Sequence, residues 1–100
     1  PLRVLKGIHR TLRPQGVYIM QDIRGSSHVR ANIGHPMGTL LYTVSCLHCM
    51  TVSLAHGGAG IGTVFAEKLA LELLAEAGFT AVEVLVAPGD PADAIYLARR

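Results

Sequence analysis

The sequence predicts an α/β domain, a three-stranded mixed sheet with flanking helices, and three observations predict it. An amphipathic segment, a turn and a short apolar run follow one another in Leu5–Asp22. A second amphipathic segment, Thr63–Ala77, stops at Gly78 and leads into a valine-rich run. Two apolar stretches near the C-terminus are separated by Pro88-Gly89-Asp90-Pro91. Helical and strand periods therefore alternate along the chain.

Leu5, Ile8 and Leu12 recur at spacings of three and four and share one helical face. Pro14 and Gly16 stop that helix and reverse the chain. Val17, Tyr18, Ile19 and Met20 are continuously apolar, the pattern of a strand covered on both faces. Arg24 to Gly38 is polar and rich in Gly and Ser, so it reads as a loop with room for a short helix. Thr39–Leu54 has β-branched content but is too long for a strand, and helix is the expectation. Four glycines between Gly57 and Gly62 then break the chain.

In Thr63–Ala77, Thr63 is placed to cap the helix and Phe65, Leu69 and Leu73 to face the core. Lys68, Glu72 and Glu76 fall on the solvent side. Gly78 suits a left-handed cap, with Phe79 as its apolar contact. Ala81–Ala87 is a strand with Val82, Val84 and Val86 on one face, and Ala94–Ala98 is a last short strand. The expected spatial order is first, third, second. Val17–Ile23 and Ala81–Ala87 would run in the same direction, with the last strand antiparallel between them.

Composition narrows the function classes. One hundred residues make one domain at most, and half are apolar, so a core is possible. A net charge of +2 with scattered basic residues argues against nucleic acid or an anionic membrane surface as partner. Leu40–Leu54, the longest apolar candidate, is interrupted by Ser45, His48 and Thr51 and reads as too broken to span a bilayer. Two cysteines and no secretion signal favour a reducing cytoplasm. The chain opens at Pro1 without a Met, already in a helix start, and is expected to be a piece of something longer.

The succession of helix, Leu12-x-Pro14-x-Gly16, apolar strand and Asp22 resembles the late part of class I S-adenosylmethionine-dependent methyltransferases. The ending, Leu-Leu-Ala-Glu-Ala-Gly-Phe followed by two strands, is similar to the same family. The stretch from Thr43 to Gly62 looks similar to bacterial, notably actinobacterial, members that carry an N-terminal winged-helix segment. The resemblance implies that residues 1–100 are the C-terminal portion of a Rossmann-like methyltransferase domain, supplying strands five, seven and six. It also implies S-adenosylmethionine as cofactor of the longer protein only. The acidic glycine-rich loop and the ribose-binding acid of the family have no match here, so no cofactor-binding residue is expected in this stretch. The partner it implies is a small-molecule methyl acceptor. An unpaired first strand adds the expectation of a homo-oligomer.

Several residues invite chemistry. Asp22 ends the first strand, where open α/β sheets place ligands, and a loop-capping role is the alternative. Tyr42, Ser45 and Cys49 lie at spacings of three and four and could wall a substrate pocket, or simply pack. His48 and His35 are the candidates for a general base, against structural roles for both. His9 is expected at the surface. Cys46-Leu-His-Cys49 offers two thiols and an imidazole but no fourth ligand, so no metal site is expected. The glycine cluster reads as a hinge or lid. It also admits a nucleotide-binding β-α-β unit with Met50–Leu54 as its first strand. A non-catalytic interaction or dimerisation module is the remaining alternative.

Overall fold

Helix α1 spans Leu2–Thr11 and buries Leu5, with Leu2, Ile8 and Leu12 packed around it. It ends at Leu12, whose backbone is extended. A computed structural model describes the backbone of residues 1–100 and all side chains except those of Ala87 and Pro91. After a turn closed by Gly16 N–H donating to the Arg13 carbonyl (2.8 Å), strand β1 runs from Val17 to Ile23. The Arg24–Gly38 segment is a loop with one 3-10 turn at Val29–Asn32. Helix α2 is continuous over Gly38–Ala55, with a wider π turn at Ser45–Cys49. Helix α3 covers Glu67–Ala77, followed by β2 (Ala81–Ala87) and β3 (Asp90–Arg99).

The sheet order is β1-β3-β2, the order the strand pattern predicts. Both ladders are antiparallel, with Ile19 opposite Leu97 and Leu97 opposite Glu83. β1 and β2 therefore point the same way without touching, and the expected mixed sheet is antiparallel throughout. β3 starts at Asp90, earlier than Ala94, because Pro88 and Gly89 alone make the turn and Asp90 already pairs with Ala87.

Helices α1 and α3 lie on the same side of the sheet. Ala94, Tyr96 and Ala98 of β3 are buried there against Ala70, Leu74 and Ala77 of α3. Alternation along a strand puts these three on one face. The opposite face is bare, which corrects the expectation that β1 is covered on both sides. Val17 is 39% and Ile19 65% exposed, because no described helix crosses that face.

Helix α3 also departs from its predicted start. Thr63 is not its cap. Residues 63–65 are non-helical, and Ala66 precedes the helix at φ 65°. Phe65 is therefore off the helix, and the buried stripe is Ala70, Leu74 and Ala77 rather than Leu69 and Leu73. The far end matches the sequence. Gly78 is left-handed, its N–H donates to the Ala75 carbonyl (3.0 Å), and Phe79 N–H donates to the Leu74 carbonyl (3.1 Å). This is the paired-bond Schellman cap, with Phe79 buried as its apolar contact. His9 is half-buried, edge-on to Phe79 at 5.2 Å, so it is not the surface residue expected. A Cβ at position 78 would press on its ring.

Helix α2 is long and apolar enough to cross a membrane by length and composition: 18 residues at mean hydropathy 1.3, with 11% of it buried. The interruptions at Ser45, His48 and Thr51 do not make it too polar, which corrects the expectation drawn from them.

Two outcomes follow from this packing. Leu74→Ala is expected to cost about 2–5 kcal/mol in urea unfolding, and Leu73→Ala clearly less. Equal costs would restore the predicted helix face. The 100-residue chain is expected to self-associate through the β1 edge and the bare sheet face. Light scattering over a concentration series checks this, and a strictly monomeric mass would refute it.

Candidate functional site

The C-terminal end of β1 meets two loops and helix α2, and the candidate site lies at this junction. Past β1, Arg24 N–H donates to the Ala92 carbonyl (2.7 Å) and carries the chain off the sheet. The loop then wraps around one side chain, Asn32, which is 8% exposed. Its Oδ1 accepts from Ser26 N–H (2.9 Å), and its Nδ2 donates to the Ser26 carbonyl (2.7 Å) and to Tyr42 Oη (2.9 Å). The amide thus pairs with the backbone of Ser26 as another strand would, and ties the loop to α2. The sequence reading passed over Asn32. Its signal was an Asn in a Gly- and Ser-rich loop, a residue suited to substitute for backbone partners.

His35 closes the same loop. Its Nδ1 accepts from Met37 N–H (3.2 Å), and its Nε2 lies 3.1 Å from the Arg24 carbonyl. With Nδ1 accepting, Nε2 carries the proton and donates. Both ring nitrogens of this candidate base are therefore engaged by backbone. His48, the other candidate, is exposed on α2 and lines none of the cavities described below.

The glycine segment is stitched to α2. The Ser53 carbonyl accepts from Gly58 N–H (2.7 Å), and Ser53 Oγ from Gly60 N–H (3.0 Å). Ser45 Oγ accepts from Thr63 N–H (3.2 Å), and Cys49 Sγ from the Thr63 hydroxyl (3.2 Å). Gly62 has φ +90°, and a Cβ there would collide with Ser45 Oγ. Glycine here thus allows close approach to the protein's own helix. Met50–Ala55 is helical, so the first strand of the nucleotide-binding β-α-β alternative is not formed.

Asp22 completes the clamp. Its Oδ2 accepts from Phe65 N–H (3.2 Å), just before Ala66, the one described non-glycine residue at positive φ. Holding Ala66 there costs of order 1–3 kcal/mol. Burial raises the Asp22 pKa, and the Asp93 carboxylate adds to this, while backbone N–H bonds from Ile23 and Phe65 oppose it. The loop-capping alternative for Asp22 is thus realised at a strand end that borders the cavities.

Three cavities share Ser26. The largest, about 580 Å³, is open, with Arg24, His35, Glu67 and Tyr96 on its walls. Burial, then the Glu67 and Asp22 carboxylates, raises the Tyr96 phenol above its ordinary value. A second of about 470 Å³ runs past His28 and Lys68. The third, about 220 Å³, has Tyr42, Ser45, Cys46 and Met50 of α2 along one wall and Val64, Phe65 and Leu69 opposite. Tyr42 and Ser45 are thus brought together as the spacing suggests. Cys49 is not: it lines a separate cavity of about 170 Å³ with Ser53 and Gly62. The π turn explains the difference. It winds more residues per turn, so Met50 rather than Cys49 comes beneath Ser45. Cys46 is exposed, and among the described residues no group of three His, Cys, Asp or Glu could hold a metal ion.

No protein family model matches the chain, and no curated protein sequence does.

Asp22 supplies a pH test. Its ordinary pKa is 3.8 and burial raises it, so the folded chain binds this proton more tightly than the unfolded one. The stability so gained is complete below about pH 4 and is lost as pH rises through the folded-state pKa. Asp22→Asn keeps an acceptor for Phe65 N–H and removes the charge. The variant is expected to match or exceed the parent in urea unfolding at pH 7 and to show no advantage at pH 3. A larger advantage at pH 3 would reverse the assignment.

Proposed function

We propose that this chain is the C-terminal part of a class I S-adenosylmethionine-dependent methyltransferase and supplies its acceptor-side elements. The observation that carries the reading is the strand arrangement. β1 and β2 run in one direction with β3 antiparallel between them, after a helix, a Leu-x-Pro-x-Gly turn and an acid-ended strand. The family places its strands five, seven and six in that order and those directions. The free edge of β1 suits a further parallel strand from a longer chain. The cavities at the C-terminal end of β1 suit a small acceptor molecule, on the side where such sheets take their ligands.

Under this reading the reaction moves a methyl group from a sulfonium to a nucleophilic atom. Catalysis rests largely on holding that atom in line with the methyl carbon. The residues here would do the positioning. Tyr42 and Ser45 offer hydroxyls inside the smaller Ser26 cavity, and Asn32 fixes Tyr42. The cofactor would be held by residues outside this stretch. The bond network of Gly58, Gly60 and Thr63 supports that division, since their N–H groups are spent on Ser53 and Ser45 and are not presented to a phosphate or carboxylate.

One observation favours a second reading, a dimerisation or interaction module. The bare sheet face carries Val17, Ile19 and Leu85, all exposed. A second copy would cover them without any catalysis.

Calorimetric titration separates these readings. The 100-residue chain is expected to bind no S-adenosylmethionine at micromolar concentration, whereas a longer chain with the upstream sequence is expected to bind it. Micromolar binding by the 100-residue chain would mean that the Gly57–Gly62 loop takes the cofactor itself. No binding by the longer chain would leave the interaction module.

A further inference from the structure

The cavity of about 220 Å³ between α2 and the segment leading into α3 has a composition that specifies its ligand. Leu41, Met50, Ile61, Val64, Phe65 and Leu69 form its apolar walls. No charged side chain lines it. An ion entering would lose its hydration without gaining a counter-charge, at a cost of several kcal/mol. Asp22, bonded to the backbone of the lining residue Phe65, adds negative charge on that side and weighs further against an anion.

Ser26, Ser27, Tyr42 and Ser45 all bring hydroxyls to its lining, and the two on α2, Tyr42 and Ser45, set the polarity of what can bind. Each carries one proton to donate and lone pairs to accept. Tyr42 Oη already accepts from Asn32 Nδ2 at 2.9 Å, and Ser45 Oγ from Thr63 N–H at 3.2 Å. Neither hydroxyl donates to a partner among the described residues. Each oxygen thus has one lone pair engaged and a proton without an acceptor among the described residues, and the two lie one turn apart on the same helix. A ligand that presents an oxygen or nitrogen lone pair meets two donors. A ligand that presents only N–H or O–H leaves both protons without an acceptor.

Size narrows the class further. The volume equals about seven waters of liquid, below the range of about 300–1,000 Å³ for drug-sized ligands. A single fused bicyclic skeleton fills it.

We propose that this cavity binds an uncharged, largely apolar small molecule, about the size of two fused rings, through a carbonyl or ether oxygen held by Tyr42 and Ser45. The inference rests on the methyl-transfer reading only for the fate of the ligand, as the class of molecule follows from the cavity itself.

The test uses three probes of similar size on the isotope-labelled 100-residue chain, followed by NMR. Coumarin is neutral and offers acceptor oxygens, indane offers none, and coumarin-3-carboxylate is an anion. Coumarin is expected to shift the amides of Tyr42, Ser45, Ile61 and Phe65. Indane is expected to bind about five- to tenfold more weakly, the loss of a hydrogen bond, and the carboxylate more weakly still. Tyr42→Phe should weaken coumarin by a similar factor and leave indane unchanged. The comparison of coumarin with indane needs no variant, so it stands even if Tyr42→Phe fails to fold. Shifts confined to other residues, no shifts at millimolar coumarin, or equal binding of the anion would each overturn the proposal. A longer chain that binds coumarin here but binds no S-adenosylmethionine would remove the methyl-transfer reading and keep this one. Methyl transfer without coumarin binding would do the reverse.

Discussion

The inner face of β3 is the constraint on which the rest of the structure depends. Ala94, Tyr96 and Ala98 are each 1% exposed or less. Two alanines flanking one tyrosine let α3 approach closely through Ala70, Leu74 and Ala77 while the ring fills the space between. Tight packing of this kind tolerates few changes of volume. The same strand supplies both ladders of the sheet. Without β3 nothing would join β1 to β2, and the helices would have no floor. Its end is tied as well: Arg100 donates from its guanidinium to the Leu12 carbonyl, linking the strand to the end of α1.

Away from that core, the chain is held by side chains acting as substitutes for backbone. The side chains of Asn32, Ser45, Ser53 and Asp22 accept from the backbone N–H groups of Ser26, Thr63, Gly60 and Phe65, and the Ser53 carbonyl accepts from Gly58. These bonds tie both loops to β1 and α2. Groups buried without a partner would each cost about 1–3 kcal/mol. The cavities are therefore by-products of a polar framework, which explains why their walls alternate between hydroxyls and apolar side chains. The strained Ala66 sits where that framework hands over to α3.

The two proposals share this framework. A one-sided sheet with a free edge on β1 suits incorporation into a larger sheet, as the methyl-transfer reading requires. The small neutral cavity needs only α2 and the loop bonded to it. The first is a statement about what lies beside this chain, and the second about what fits inside it.

Much of the fold was legible in the sequence. Helical spacing located α1, the Gly78 cap fixed the end of α3, and the valine run and Pro88-Gly89 turn marked the closing hairpin. These are local signals, set by side-chain period and by backbone conformations that only certain residues adopt. Tyr42 and Ser45 were legible as neighbours for the same reason. What tertiary structure alone decided was non-local. The start of α3 moved from Thr63 to Glu67 because Asp22 and Ser45, distant in sequence, take the N–H groups of Phe65 and Thr63. A π turn replaced Cys49 with Met50 beneath Ser45, a change of winding that spacing cannot reveal. Asn32 gained its role only when the loop closed on it. The bare face of β1 follows from both helices choosing one side of the sheet, whereas a continuous apolar run reads the same whether one face is covered or two.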